Sequence, residues 1–195
     1  MSNIFYGIKR TVLTIFGDIK VFRWPFFVIY QPTSFCVKGK DTREIMDKIR
    51  PGDVIMRSYN DYLDGYFIPK GESGCSHSGL YIGDNMVVHS IAEGSSLIDI
   101  IDFSRADKII ILRPNSCQDW AIDHARKCAD AKIEYDFNFE PGPGKYYCHE
   151  FTASCYPNLN IEILSRKVLG FINSPKAFLA DSFYCNSNFT KIYPL

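Results

Sequence analysis

The chain of 195 residues has no Cys-x-x-Cys pair, no excess of either charge, no internal repeat and no low-complexity segment. Each absence removes a class of function. The seven cysteines, at positions 36, 75, 117, 128, 148, 155 and 185, are odd in number and irregularly spaced. That argues against a disulfide framework and a thiolate zinc site, and reads as mostly buried thiols in a reducing compartment. Lysine plus arginine equals aspartate plus glutamate at 22 each, so charge steers the chain toward neither nucleic acid nor an anionic membrane. A bilayer-spanning run is also missing. Lys9 and Arg10 precede the apolar Thr11-Val-Leu-Thr-Ile-Phe-Gly17, but Asp18 and Lys20 interrupt it and no small-residue cleavage site follows. No secretory signal is therefore expected. The expected address is cytoplasmic, with peripheral contact at a membrane as the alternative.

What is present suits a globular protein. The apolar fraction is 46% and the charged fraction 23%, and the length allows one domain with an appendage. We divide the chain into residues 1–40, an amphipathic helix and an apolar extended segment, and residues 41–195, a catalytic domain. Over 2–20, Ile4, Phe5, Ile8, Val12, Ile15, Phe16 and Ile19 recur at helical spacing. The primary reading is a helix packed on the core, followed by an apolar stretch Trp24–Pro32; the alternative is an interfacial anchor or the wall of an acyl groove.

Further on, Asp41–Ile49 reads as a short amphipathic helix, and Pro51-Gly-Asp-Val leads into a strand. Residues 58–74 suit a loop over a cleft. Strands are expected at His77–Ile82, Met86–Ser90, Ser96–Ile101 and Lys108–Arg113, the first two joined by a turn at Gly83-Asp-Asn85. Gln118–Ala131 reads as a helix burying Trp120, Ile122, Ala125, Cys128 and Ala129. Cys148–Tyr156 is a second helix and Ser174–Leu179 a third, with a short strand or coil around Phe189–Tyr193. Helix, then antiparallel strands, then helices indicates α+β.

Within this order one constellation carries chemistry. Pairing around the turn places position 82 near 86 and 79 near 89, so His77 and His89 fall on one face of the ribbon. One histidine can take a proton from a thiol while the other orients it. Cys148 follows Pro141-Gly-Pro-Gly-Lys-Tyr-Tyr147 and opens a helix, where unpaired N–H groups favour a thiolate and an oxyanion. Cys75 is the second candidate nucleophile, and Cys155 reads as core. Tyr135 is a candidate to line the cleft or donate to the oxyanion, with packing equally open. Metal binding by His77, His89 and Cys148 together is ranked well below thiol catalysis, because no fourth ligand is evident; no metal or cofactor is expected.

Pro51-Gly-Asp-Val-Ile, Ser76-His-Ser-Gly-Leu-Tyr-Ile-Gly, Val87-Val-His89, Tyr135-Asp-Phe137, Tyr147-Cys-His-Glu150 and Ser174-Pro-Lys-Ala-Phe178 resemble the YiiX-like branch of the NlpC-type cysteine hydrolases. The resemblance runs in order from about residue 50 to 180. It implies a circularly permuted papain-like domain, an antiparallel sheet packed against helices. It further implies Cys148 as nucleophile, His77 as general base and residue 89 as the group orienting that base. Two positions depart from the branch. An acidic residue is usual where His89 stands, and a histidine there resembles instead the lecithin:retinol acyltransferase-like branch, which acts on lipid esters. The residue after the nucleophile is usually small, and here it is His149.

The expected function is therefore cleavage of an amide or peptide bond through a Cys-His-His triad and an acyl-enzyme. The alternatives are a lipid ester hydrolase or acyltransferase of the same fold, and a non-catalytic lipid- or peptide-binding module. Tyr135, Tyr147 and His149 are the expected substrate contacts. The expected partners are a small-molecule, peptide or lipid substrate, with possible membrane contact through residues 4–30 and no nucleic acid.

Overall fold

In the computed structural model, residues 5–9, 11–12, 20–22, 27–29, 35–60, 71–116, 119–165, 167–168, 172–173 and 175–194 are described. Much of the expected Trp24–Pro32 stretch, and positions 61–70 of the expected cleft loop, lie outside them.

The centre is an antiparallel sheet of six strands in the order β10-β7-β3-β4-β5-β6. The strands are β3 (Val54–Ser58), β4 (His77–Gly83), β5 (Met86–Ile91), β6 (Gly94–Asp99), β7 (Lys108–Pro114) and β10 (Phe189–Tyr193). Two small ribbons lie outside it: β1 (Lys20–Phe22) pairs with β2 (Phe27–Ile29), and β8 (Lys167–Val168) with β9 (Ile172–Asn173). Because strand side chains alternate, the central sheet has two different apolar faces. Even positions Val54, Met56, Leu80, Ile82, Val88, Ile110 and Leu112 join one cluster. Their odd neighbours Ile55, Tyr81, Val87, Ile109 and Ile111 join the other. Covering a sheet on both faces explains the near-continuous apolar runs of β3 and β7. Each fully buried Ile or Leu contributes about 1.5–3 kcal/mol.

Helices α3 (Asp119–Asp130), α4 (Cys148–Ser154) and α5 (Asp181–Tyr184) supply Ala125, Phe151 and Phe183 to the even-face cluster. Helices α1 (Gly39–Lys48) and α2 (Ile100–Phe103) supply Ile45, Ile100 and Phe103 to the odd-face cluster. Mixed helix with antiparallel sheet is the architecture anticipated above.

Several local expectations need correction. The expected helix over 2–20 has given way by Lys20, because residues 20–22 pair as a strand; 5–9 and 11–12 are helical. Phe5, Ile8 and Val12 are exposed at 72%, 57% and 46%, so their stripe is not packed on the core. Tyr6 makes the attachment instead, its hydroxyl donating to the Tyr135 carbonyl at 2.5 Å. Strand β6 ends at Asp99, whose side chain accepts from the Ile101 N–H and opens α2. In α3 the buried stripe is Ala121, Ala125, Cys128 and Ala129. Trp120 lies one position off that stripe, 52% exposed and stacked on His124. Of the expected helix at 174–179, the described residues 175–179 are not helical, because Ala177 spends its N–H and carbonyl on Leu164; the helical turn comes later, at Asp181.

Candidate active site

The hairpin between β4 and β5 is closed by Asp84 and Asn85, both at positive φ, 52° and 59°, the left-handed pair that a two-residue turn requires. A register shift between Tyr81 and Gly83 sets Gly83, not Ile82, against Met86, and the ladder still runs Gly79 opposite His89 as expected. Gly79 is needed there: a Cβ would meet the Val88 carbonyl at 2.7 Å and Val87 Cγ1 at 2.9 Å. His77 and His89 therefore sit diagonally on the odd face, with His77 Nε2 3.0 Å from His89 Nδ1. Phe103 of α2 packs against both rings, at 5.8 and 5.7 Å between centroids.

Cys148 begins α4 and reaches the other end of this arrangement. It is 6% exposed, and its thiol donates to the Ser76 carbonyl at 3.9 Å, one residue before His77. The N–H groups of Ser78, His149 and Cys148 itself, with the Tyr135 hydroxyl, lie close enough to the sulfur to lower the thiol pKa. They favour the thiolate, yet burial outweighs them and pushes the thiol up to about 11. On the histidines burial acts in the opposite sense. Burial, then the charges of Arg57, His89 and His149, hold His77 well below 6.5. Burial and Arg57 push His89 down to about 3. The resting pair is thus a neutral thiol and a neutral imidazole.

Tyr135 lies beside the nucleophile, and its hydroxyl favours the thiolate of Cys148. Tyr147 and His149 flank Cys148 but serve packing. Tyr147 is 2% exposed, and its hydroxyl accepts from the Phe178 N–H at 2.6 Å. His149 is 2% exposed on the even face, with Nδ1 2.8 Å from Ser78 Oγ and its ring near Phe183. Burial pushes it down to about 4. Cys75, the second candidate nucleophile, is wholly buried in the even-face core, as is Cys155.

Two residues passed over in the sequence matter here. Ser78 Oγ lies 2.8 Å from both His149 Nδ1 and Thr152 Oγ1 and donates to the Cys148 carbonyl at 3.4 Å, pinning the first turn of α4 to β4. Its even position between two strand residues is the only signal that could have found it. Arg57, opposite His77 in the β3–β4 ladder, gave no local signal at all. Elsewhere, a depression of about 350 Å³ lined in part by Asn160, Asp181 and Asn186 shares no residue with this site.

Residues 48–193 match the family model described as permuted papain-like amidase enzyme, YaeF/YiiX, C92 family. Protein OPG091 of vaccinia virus (strain Copenhagen) is 25% identical over 150 residues, covering 73% of this chain and 83% of that one. The crystal structure of YiiX from Escherichia coli O157:H7, described as a metalloprotein, superposes with a TM-score of 0.60 at 13% identity, over 76% of this chain and 98% of that one.

Proposed function

The chain belongs to the YaeF/YiiX family of permuted papain-like amidases, and on that premise we propose a cysteine amidase or peptidase working through Cys148, His77 and His89. Family membership supports cysteine hydrolase-type activity in general. The specific triad is our reading, and the observation that carries it is the 3.0 Å contact of His77 Nε2 with His89 Nδ1, beside a thiol that meets the strand at Ser76. In this reading His77 Nε2–H donates to His89, which leaves Nδ1 of His77 as the base. Nδ1 takes the thiol proton as sulfur attacks the carbonyl carbon. The Tyr135 hydroxyl and the N–H groups at the start of α4 receive the oxyanion. The imidazolium then protonates the leaving amine, and water, deprotonated by His77, releases the acyl group.

YiiX is described as a metalloprotein, and the donor set among the described residues of this chain does not fit a bound ion. Among the described residues no three His, Cys, Asp or Glu are gathered to hold one, and the two site histidines each commit a ring nitrogen to the other. No step is routed through a metal.

A second reading, lipid acyl hydrolysis or transfer by the same thiol, is favoured by one observation. The segment bearing exposed Phe5, Ile8 and Val12 is tied by Tyr6 to the backbone of Tyr135, so membrane contact there would present lipid beside the nucleophile. No helix among the described residues is long and apolar enough to cross a membrane.

The test is a labelling and turnover experiment. A carbonyl-directed acyl probe should label wild type at Cys148, lose that label in Cys148→Ala, and slow strongly in His77→Asn. Amide and acyl-ester substrates offered in parallel separate the two readings. Full turnover by folded Cys148→Ala would end both.

A further inference from the structure

Arg57 carries a positive charge into the site on which the proposed triad depends. The β3–β4 register sets it directly across from His77, and the shared odd face brings it toward His89 as well. Its guanidinium lies 4.4 Å from the centroid of the Phe103 ring and 5.3 Å from that of Tyr59. Its Nη1 donates to the Phe103 carbonyl at 3.2 Å. Phe103 is thus a common plate, touched by the cation and by both imidazoles.

The charge also lacks an acidic partner among the described residues. On the same sheet, Arg113 is held by both carboxylate oxygens of Asp53, at 2.9 and 2.7 Å. Arg57 forms no such pair with any described residue, and its Nε is buried without a hydrogen-bond partner. A guanidinium cannot discharge by losing a proton. It therefore acts as a fixed positive charge on the groups around it: His77 from β4, His89 from β5, Cys148 from α4, and Tyr59 just beyond its own strand.

We propose that Arg57 is a positioning residue that sets the protonation of the nucleophile–base pair, disfavouring the imidazolium of His77 and favouring the thiolate of Cys148. The cation opposes a second positive charge across the ladder and attracts a negative one on sulfur. It works together with the N–H groups and the Tyr135 hydroxyl against the cost of burying the thiolate. The consequence is a site whose base remains free to accept a proton in acid, where an isolated histidine would already be charged. Stacking on Phe103 and Tyr59 supplies rigid packing for the cation without neutralising it, as a carboxylate would.

The test reads the rate of Cys148 alkylation across a pH series in the full chain, by mass spectrometry of its peptide. Iodoacetamide is the neutral probe and iodoacetate the anionic one. In Arg57→Gln the alkylation midpoint should rise by about one pH unit, with the rate below it falling about tenfold. Arg57→Lys, which keeps the charge, should return the midpoint close to wild type even if it melts lower. Arg57→Met leaves no orphaned polar atom and serves if the glutamine variant does not fold. A purely structural arginine would change the melting temperature and leave the midpoint in place, which overturns the proposal. So does a variant in which iodoacetate alone slows, since Arg57 would then be a receptor for an anionic group of the substrate. The inference rests on Cys148 as nucleophile, and the two failures are distinct. A wild-type Cys148 no more reactive than the other cysteines defeats that reading; a reactive Cys148 with an unmoved midpoint defeats only the role of Arg57.

Discussion

Replacing Glu150 with glutamine isolates the cost of a buried carboxyl two residues from the nucleophile. Glu150 is 4% exposed, Oε1 accepts from the Gly142 N–H at 2.7 Å, and Oε2 is buried without a partner. Burial, helped by the Asp136 carboxylate, outweighs the N–H groups of Gly142 and Tyr147 and pushes its pKa from 4.5 up to about 7. A pKa raised by folding means the folded protein holds the proton more tightly than the unfolded chain. The associated stability is complete below pH 4.5 and is lost as the pH rises through about 7. At about 1.4 kcal/mol per pH unit, that shift corresponds to an upper value of roughly 3 kcal/mol. Glutamine keeps an acceptor for Gly142 and never ionises. Relative to wild type it should therefore gain stability between acid and mildly alkaline pH. The gain corresponds to a melting-temperature difference that widens by roughly 6–12 °C at most. Thermal melts of both proteins at about pH 4.5 and about pH 8 check this. The difference between the two curves matters, since the buried histidines also titrate. Parallel curves would refute the reasoning, because they would show that Glu150 carries the same proton affinity folded and unfolded.

Three further outcomes follow from the geometry. Gly79→Ala should lose about 1–3 kcal/mol in urea unfolding, because the new methyl meets the backbone of β5 beside His89; wild-type stability would mean the strands can part without cost. Ser78→Ala should also destabilise, by about 1–3 kcal/mol, since it strips a partner from His149 and Thr152 in a buried setting. A midpoint equal to wild type would show that those groups re-pair. Tyr135→Phe removes the hydroxyl that lies beside Cys148 and should lower kcat by about a hundredfold with KM little changed; a change in KM alone would make Tyr135 a wall of the site.

Legibility followed sequence distance. The odd-face pairing of His77 and His89 could be worked out because strand side chains alternate and the expected three-residue turn at Gly83-Asp-Asn85 sets 79 against 89. The turn itself has two residues, and the register shift between Tyr81 and Gly83 supplies the offset that keeps that pair. The opening of α4 at Cys148 could be read from the Gly/Pro loop before it, and that is where the helix starts. Trp120 misled because an amphipathic helix with alanines on two flanks leaves its buried stripe uncertain by one position, and the wrong residue was turned inward. The expected helix at 174–179 failed for a different reason. Leu164 offers the backbone of Ala177 a better partner than its own neighbours do, and nothing near 177 announces it.

The sequence by itself determined the family pattern, the antiparallel strands and the order of a histidine strand before a cysteine helix, because these rest on short periodicities and local turns. Only the tertiary structure decided what surrounds the nucleophile. Tyr135 reaches Cys148 across the Gly/Pro loop, and Arg57 reaches His77 through a ladder whose strands are separated by a long connection. A connection of that length leaves the register open until the packed faces choose it. The charge beside the proposed base was therefore invisible in the chain and is set by the fold.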